Sequence, residues 1–163
     1  MNFTEAVEKI FHHEGGYVND PNDRGGETNY GITVAVARNY GFKGDMKELP
    51  KSTAADIYKA NYWDKCKCDE LPESIRYAVF DTAVNMGSTR AIKFLQQTGG
   101  CDDDGFIGPN TIAASKNASA SGYMFTRIYF YCQIVRRDKS QAKYIGGWSN
   151  RAKEVLEMSR KHG

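Results

Sequence analysis

Phe3-Thr-Glu-Ala-Val-Glu-Lys-Ile-Phe-His-His-Glu14, followed by Gly15-Gly16-Tyr17, is the stretch that decides the fold. Apolar residues fall at Phe3, Ala6, Val7, Ile10 and Phe11, the spacing of one helix face. Asn2 and Glu5 make a capping-box pair at its start. Glu14 follows Ile10 by four residues and Phe11 by three, so it shares their face, where a charged carboxylate is costly. It also ends the last turn, where the helix dipole disfavours a negative charge. An acid so placed is suited to holding a proton and passing it to a leaving group.

Working outward, residues 15–31 hold five glycines, Pro21 and several Asn and Asp. They read as a long loop with a possible small β-hairpin, and long loops in compact domains are often functional. A short helix is expected over Thr33–Asn39. Ser52 should cap a helix through Ile57, Tyr58, Tyr62 and Trp63. Pro72 should open the most periodic helix, with Ile75, Ala78, Val79, Thr82, Ala83 and Met86. Ser88 should cap the next, through Ile92 and Leu95. Gly99–Gly108 reads as a second, acidic loop, and Pro109 as a first-turn residue. A long apolar helix is expected from Ser121, and a break at Gly146-Gly147 before a last helix with Trp148, Ala152, Val155 and Leu156. The fold class is mostly α, with a small β element in the first loop.

The chain has 163 residues, 40% hydrophobic and 26% charged, enough for one well-packed globular domain. A net charge of +2 is too balanced to argue for nucleic acid. No secretory signal and no membrane-length apolar run are visible. Synthesis in the cytoplasm is therefore expected, with any route outward supplied by another system. No stable membrane insertion is expected. Cys66, Cys68, Cys101 and Cys132 lack the usual zinc or redox spacing, which favours free or structural thiols over a disulfide or metal.

Within the first loop, Glu14 is followed by Asp20, Asp23, Glu27 and Thr28. Glycoside hydrolysis needs an acid at the leaving oxygen and a carboxylate or held water across the sugar ring. Glu14 fits the acid, Asp23 the base or charge stabiliser, and Thr28 a hydroxyl that holds water. The competing reading makes Glu14 a solvated helix end and the loop acids turn formers. Asp81 and Asn85 lie one turn apart on the central helix. They line a sugar cleft, or form an ordinary solvated side or a buried bonded pair. Tyr17, Tyr30, Tyr62, Trp63 and Trp148 are candidates for stacking on sugars, Tyr17 and Tyr30 foremost. Each is also a candidate core residue. His12-His13 suit a helix C-terminus better than a metal. Asp102-Asp103-Asp104-Gly105 lacks the spacing of a calcium loop and reads as a turn. No metal or cofactor is expected.

The block Glu14-Gly-Gly-Tyr-Val-Asn-Asp-Pro-Asn-Asp-Arg-Gly-Gly-Glu-Thr-Asn-Tyr-Gly-Ile-Thr33 closely resembles the signature of glycoside hydrolase family 108. These are phage and bacterial N-acetylmuramidases, some formerly labelled secretion activators. Ala78-Val-Phe-Asp-Thr-Ala-Val-Asn-Met-Gly87 resembles its central helix. Asp104-Gly-Phe-Ile-Gly-Pro-Asn-Thr111 resembles a turn of its peptidoglycan-binding region. The resemblance implies a lysozyme-like helical fold, Glu14 as the catalytic residue, peptidoglycan glycan strands as the partner, and the cell wall, reached after release as by a lysin through a membrane lesion, as the place of action. Phage-type lysozymes offer a looser similarity. Here eight residues separate Glu14 from Asp23 and four separate Asp23 from Thr28. The first interval matches and the second is one short, which leaves Thr28 and Asn29 both open as the third residue.

Three functions follow as expectations. The leading one is a muramidase cutting the β-1,4 bond between N-acetylmuramic acid and N-acetylglucosamine. The others are a non-catalytic peptidoglycan-binding or secretion-assisting module, and a lytic transglycosylase. With no second carboxylate on a rigid element, inversion at the cut bond is favoured. The division expected is a catalytic region over residues 1–90 and a peptidoglycan-binding region over 91–163, packed into one unit as a monomer.

Overall fold

The computed structural model describes residues 1–19 and 26–161. It is mostly α, with eight α-helices and one two-stranded antiparallel sheet among the described residues. The chain divides into two compact units, residues 2–61 and residues 62–163 with Met1. The expected division at 90/91 lies within the second unit, inside a helix.

In the first unit, α1 spans Phe3–Glu14 and both halves of its capping box form. Glu5 N–H donates to Asn2 Oδ1 at 2.9 Å and Asn2 N–H to Glu5 Oε2 at 3.0 Å. Its apolar face buries Ala6, Val7, Ile10 and Phe11, and His12 and His13 occupy its last turn. The expected hairpin is β1, Thr28–Asn29, paired with β2, Ile32–Thr33. Val18 adds a third line, exchanging two 2.8 Å backbone bonds with Thr28. Thr33 caps α2, Val34–Tyr40, through Val36 N–H. A 3₁₀ turn, Met46–Glu48, precedes α3, Lys51–Tyr58. Pro50, rather than Ser52, stands at the start of α3. Proline fits there because the first helical N–H groups have no acceptor to lose. The chain leaves α3 through a π-helical turn, Lys59–Trp63.

In the second unit, α4 spans Glu73–Met86 and buries eight consecutive-to-near residues, from Ile75 to Ala83. It is buried nearly all round because α5, α7 and α8 all pack against it. These are α5 (Ser88–Gly99), α6 (Pro109–Ser115), α7 (Ala120–Arg137) and α8 (Ile145–Lys161). Gly87, rather than Ser88, is the cap residue of α5, and Ser119 caps α7 through Gly122 N–H at 3.0 Å. The expected break at Gly146-Gly147 does not occur, since α8 starts before both glycines. Each glycine costs a helix roughly 1 kcal/mol. Burial of Ala152 and Val155 against α4 and α7 outweighs that local preference.

All four cysteines are free thiols. Cys66 and Cys68 are buried. A hydrogen bond with Cys68 holds the Cys66 thiol down, whereas burial pushes Cys68 well up.

Candidate functional site

The site is built on the end of α1 and the hairpin that faces it. The two-residue hairpin turn is Tyr30-Gly31, with φ of 52° and 74°. Positive φ at both positions is the type I′ geometry that suits the twist of paired strands. Tyr30 is strained there, since a side chain rarely adopts positive φ. Two contacts hold it: Tyr58 Oη donates to Tyr30 O at 2.8 Å, and its ring meets Phe11 at 5.2 Å between centroids. Gly31 is required by space as well as by φ. A Cβ there would stand 2.8 Å from Tyr58 Oη, 2.9 Å from Glu14 Cβ and 3.0 Å from Glu14 Cγ. The turn therefore lies directly against the base of the Glu14 side chain, which is half-buried.

Thr28 exchanges both of its backbone bonds with Val18 and lies opposite Thr33 in the β1–β2 register. Asn29 is 5% exposed and donates its side-chain amide to Met46 O at 2.8 Å. That amide ties the hairpin to the 3₁₀ turn, and of the two threonine-position candidates it leaves Thr28 as the half-buried one. Tyr17 is half-buried, with Lys47 Nζ 5.4 Å from its ring centre. A cavity of about 500 Å³ runs along α1, lined by Glu8, Phe11, Gly15, Gly16, Tyr30 and Lys51 among others. Lys51 Nζ closes on Glu8 Oε2 at 2.6 Å at this cavity. Asp20 and Asp23 lie outside the described residues.

The candidates of the second unit fare differently. Asp81 is fully buried. Its Oδ1 meets Arg127 Nη1 at 2.6 Å, and its Oδ2 meets Arg151 Nη2 at 3.0 Å. Arg127 is itself fully buried and donates from Nε to Tyr131 Oη at 2.8 Å. Burial disfavours its charge, but Asp81 and Tyr131 together more than offset this and raise its pKa. Asp81 thus holds the helices together instead of lining a sugar cleft; both its oxygens are already occupied. Trp63 is likewise fully buried, edge-on to Phe80 at 5.2 Å, so its faces are not offered to a sugar. Tyr62 is half-buried and Asn85 exposed. Trp148 is half-buried in a stack, 4.7 Å from Tyr131 and 5.8 Å from Tyr144. Asn85, Trp148 and Tyr131 line one cavity of about 330 Å³ with Arg90 and Phe130.

Two residues that position these parts carried no sequence signal. Tyr58 reads only as a core residue, yet its hydroxyl fixes Tyr30, 28 positions away. Gln96 is 1% exposed and binds the whole Asp104–Thr111 turn. Its Nε2 donates to Asp104 Oδ1 at 2.7 Å, Phe106 O at 3.0 Å and Thr111 Oγ1 at 3.1 Å, and its Oε1 accepts from Gly105 N–H at 2.9 Å. Among the described residues no three His, Cys, Asp or Glu gather as a metal site. Nor is any described helix long and apolar enough to cross a membrane.

Comparison with known proteins adds three findings. The family model described as glycosyl hydrolase 108 matches residues 7–87. One described as a predicted peptidoglycan domain matches residues 90–153. The solved structure of Brucella abortus SagA is 34% identical, over 98% of this chain and 94% of that one, with a TM-score of 0.83. No curated protein matches.

Proposed function

The chain belongs to the glycosyl hydrolase 108 family, and from that premise we propose that it is a muramidase. Its substrate is the β-1,4 bond between N-acetylmuramic acid and N-acetylglucosamine of peptidoglycan, the polymer to which the match over residues 90–153 points. Glu14 protonates the glycosidic oxygen. Water attacks the far face of the sugar, with Asp23 as base and Thr28 holding the water.

The observation that carries the reading is the seating of Glu14. It ends a helix whose opposite end is doubly capped, and its Cβ and Cγ rest on the strained Tyr30-Gly31 turn. A general acid acts through fixed position, because a misplaced proton donor loses most of its rate advantage. Thr28, held by two backbone bonds to Val18, belongs to the same hairpin. Asp23 follows Glu14 by nine residues in the glycine-rich loop.

Glu14→Gln keeps the side chain's shape and removes the proton. Release of reducing ends from purified murein should fall about 10²- to 10⁴-fold, with the fold intact by circular dichroism. Equal release by wild type and variant removes Glu14 from the mechanism. Wild-type protein that sediments with murein but releases no reducing ends supports a binding module. Anhydro products by mass spectrometry assign a lytic transglycosylase.

A further inference from the structure

We propose that Tyr30 is a substrate-binding residue, held in a strained backbone conformation so that its ring walls a sugar subsite beside Glu14. The ligand, a sugar ring of the peptidoglycan glycan strand, rests on the muramidase reading.

The strain comes first. Tyr30 has φ of 52°, one of two non-glycine residues with positive φ among those described. The first place of a type I′ turn favours Asn, Asp or Gly, which enter that region readily, whereas a tyrosine does not. With Gly31 following, an asparagine here would make the most favoured of the short hairpin turns. The chain forgoes it. Strain of this kind persists only where the surrounding structure enforces it, and it gathers at ligand sites.

Two side chains enforce it. Tyr58, 2% exposed, donates its hydroxyl to Tyr30 O at 2.8 Å. Phe11, 8% exposed, meets both tyrosine rings, Tyr30 at 5.2 Å and Tyr58 at 5.8 Å between centroids. Neither contact covers Tyr30, which stays half-buried. A ring needed only for packing would be enclosed; this one is fixed and left open.

It opens onto the cavity of about 500 Å³ along α1. That volume falls within the roughly 300–1,000 Å³ of small-ligand sites. The walls are of two kinds. Tyr30 and Phe11 are aromatic, whereas Glu8, His12 and Lys51 are polar and exposed. A sugar ring has the same division, with apolar C–H faces and a rim of hydroxyls. Lys51 Nζ, bonded to Glu8 Oε2 at 2.6 Å, stands 5.3 Å from the centre of the Phe11 ring, so hydrogen-bonding groups border the aromatic ones. Gly15 and Gly16 complete the lining, and a Cβ at either would meet nothing within 4 Å. Gly15 directly follows Glu14, and Gly31 lies against the Glu14 stem. The cavity thus adjoins the acid from one residue away and suits a sugar flanking the cut bond.

The test is calorimetric titration of the full chain with soluble, uncrosslinked glycan strands, in a Glu14→Gln background so that binding is read without cleavage. Tyr30→Asn removes the ring and supplies the residue the turn prefers. Its melting temperature should hold or rise, while its affinity for the strands should fall about tenfold. Tyr30→Phe keeps the ring and should bind within about twofold of its parent. Tyr58→Phe releases the Tyr30 carbonyl and should lower both melting temperature and affinity. Unchanged affinity in Tyr30→Asn overturns the proposal, as does an equal loss in Tyr30→Phe or a failure of the strands to bind. A melting temperature that falls together with affinity in Tyr30→Asn makes the residue a structural one and also overturns it. Release of reducing ends from murein, with Glu14 intact, is read separately. Release alongside undiminished binding by Tyr30→Asn overturns this subsite alone. Binding that depends on Tyr30, with no release by the wild type, supports the subsite and overturns the muramidase reading alone.

Discussion

Gly31 makes a prediction that reaches the chemistry through position alone. A methyl group there must displace Tyr58 Oη or the stem of Glu14, and the backbone at φ 74° resists any side chain. Gly31→Ala should cost about 1–3 kcal/mol of stability and also reduce murein cleavage, measured by thermal unfolding and reducing-end release on one preparation. Full activity in a destabilised Gly31→Ala would detach the turn from the function of Glu14. At the same scale the sequence was informative about Glu14, because a carboxyl among apolar helix positions stands out. It was silent about what Asn29 does. An asparagine in a polar loop looks like a surface residue until the loop folds back and its amide meets Met46 O at 2.8 Å.

Helix α8 and the Asp104–Thr111 turn carry the predictions of the next scale. Gly146 and Gly147 lie in the first turn of α8, and a Cβ at either meets nothing within 4 Å. Replacing either with Ala should raise stability by about 0.5–1 kcal/mol in urea unfolding, because the helix forms despite them. The turn depends on Gln96. Gln96→Leu strands the buried Gly105 N–H and takes a donor from Asp104 and Phe106, and should cost about 1–3 kcal/mol. Asp104 adds a pH dependence of definite sign. Hydrogen bonds from Phe106 N–H and then Gln96 hold its carboxyl below the ordinary range. A depressed carboxyl contributes stability above its unfolded pKa and loses it as pH falls through the folded one. Wild type and Asp104→Ala should therefore differ at neutral pH and converge in acid. A gap that persists at low pH would assign the effect to packing.

At the scale of the molecule, the family-matched regions and the compact units do not share a boundary. The glycosyl hydrolase 108 match ends at residue 87, whereas the first unit ends at Asn61. Helix α4 belongs to the hydrolase match by sequence and packs inside the second unit. Asp81 is the reason: it projects from α4 onto Arg127 of α7 and Arg151 of α8. Asp81→Asn leaves the Arg127 charge buried without its counter-ion and should cost about 3–5 kcal/mol. Asp81→Leu combined with Arg127→Met should recover much of that loss, a coupling read by a double-mutant cycle. Additive losses would mean that the two charges do not act as a pair.

Periodicity and punctuation by themselves determined the helices, the capping box and the hairpin after α1, and singled out Glu14 as the candidate acid. Those are local properties, set by which side chains share a face and which residues can start or end a helix. Only the tertiary structure decided the rest. It carried α8 through two glycines, put Asp81 and Trp63 in the core instead of at a surface, and set Gln96 and Tyr58 as anchors of distant turns. Each of these is decided by a partner far away in the chain, whose burial or charge outweighs the local preference by more than the roughly 1 kcal/mol that such preferences carry.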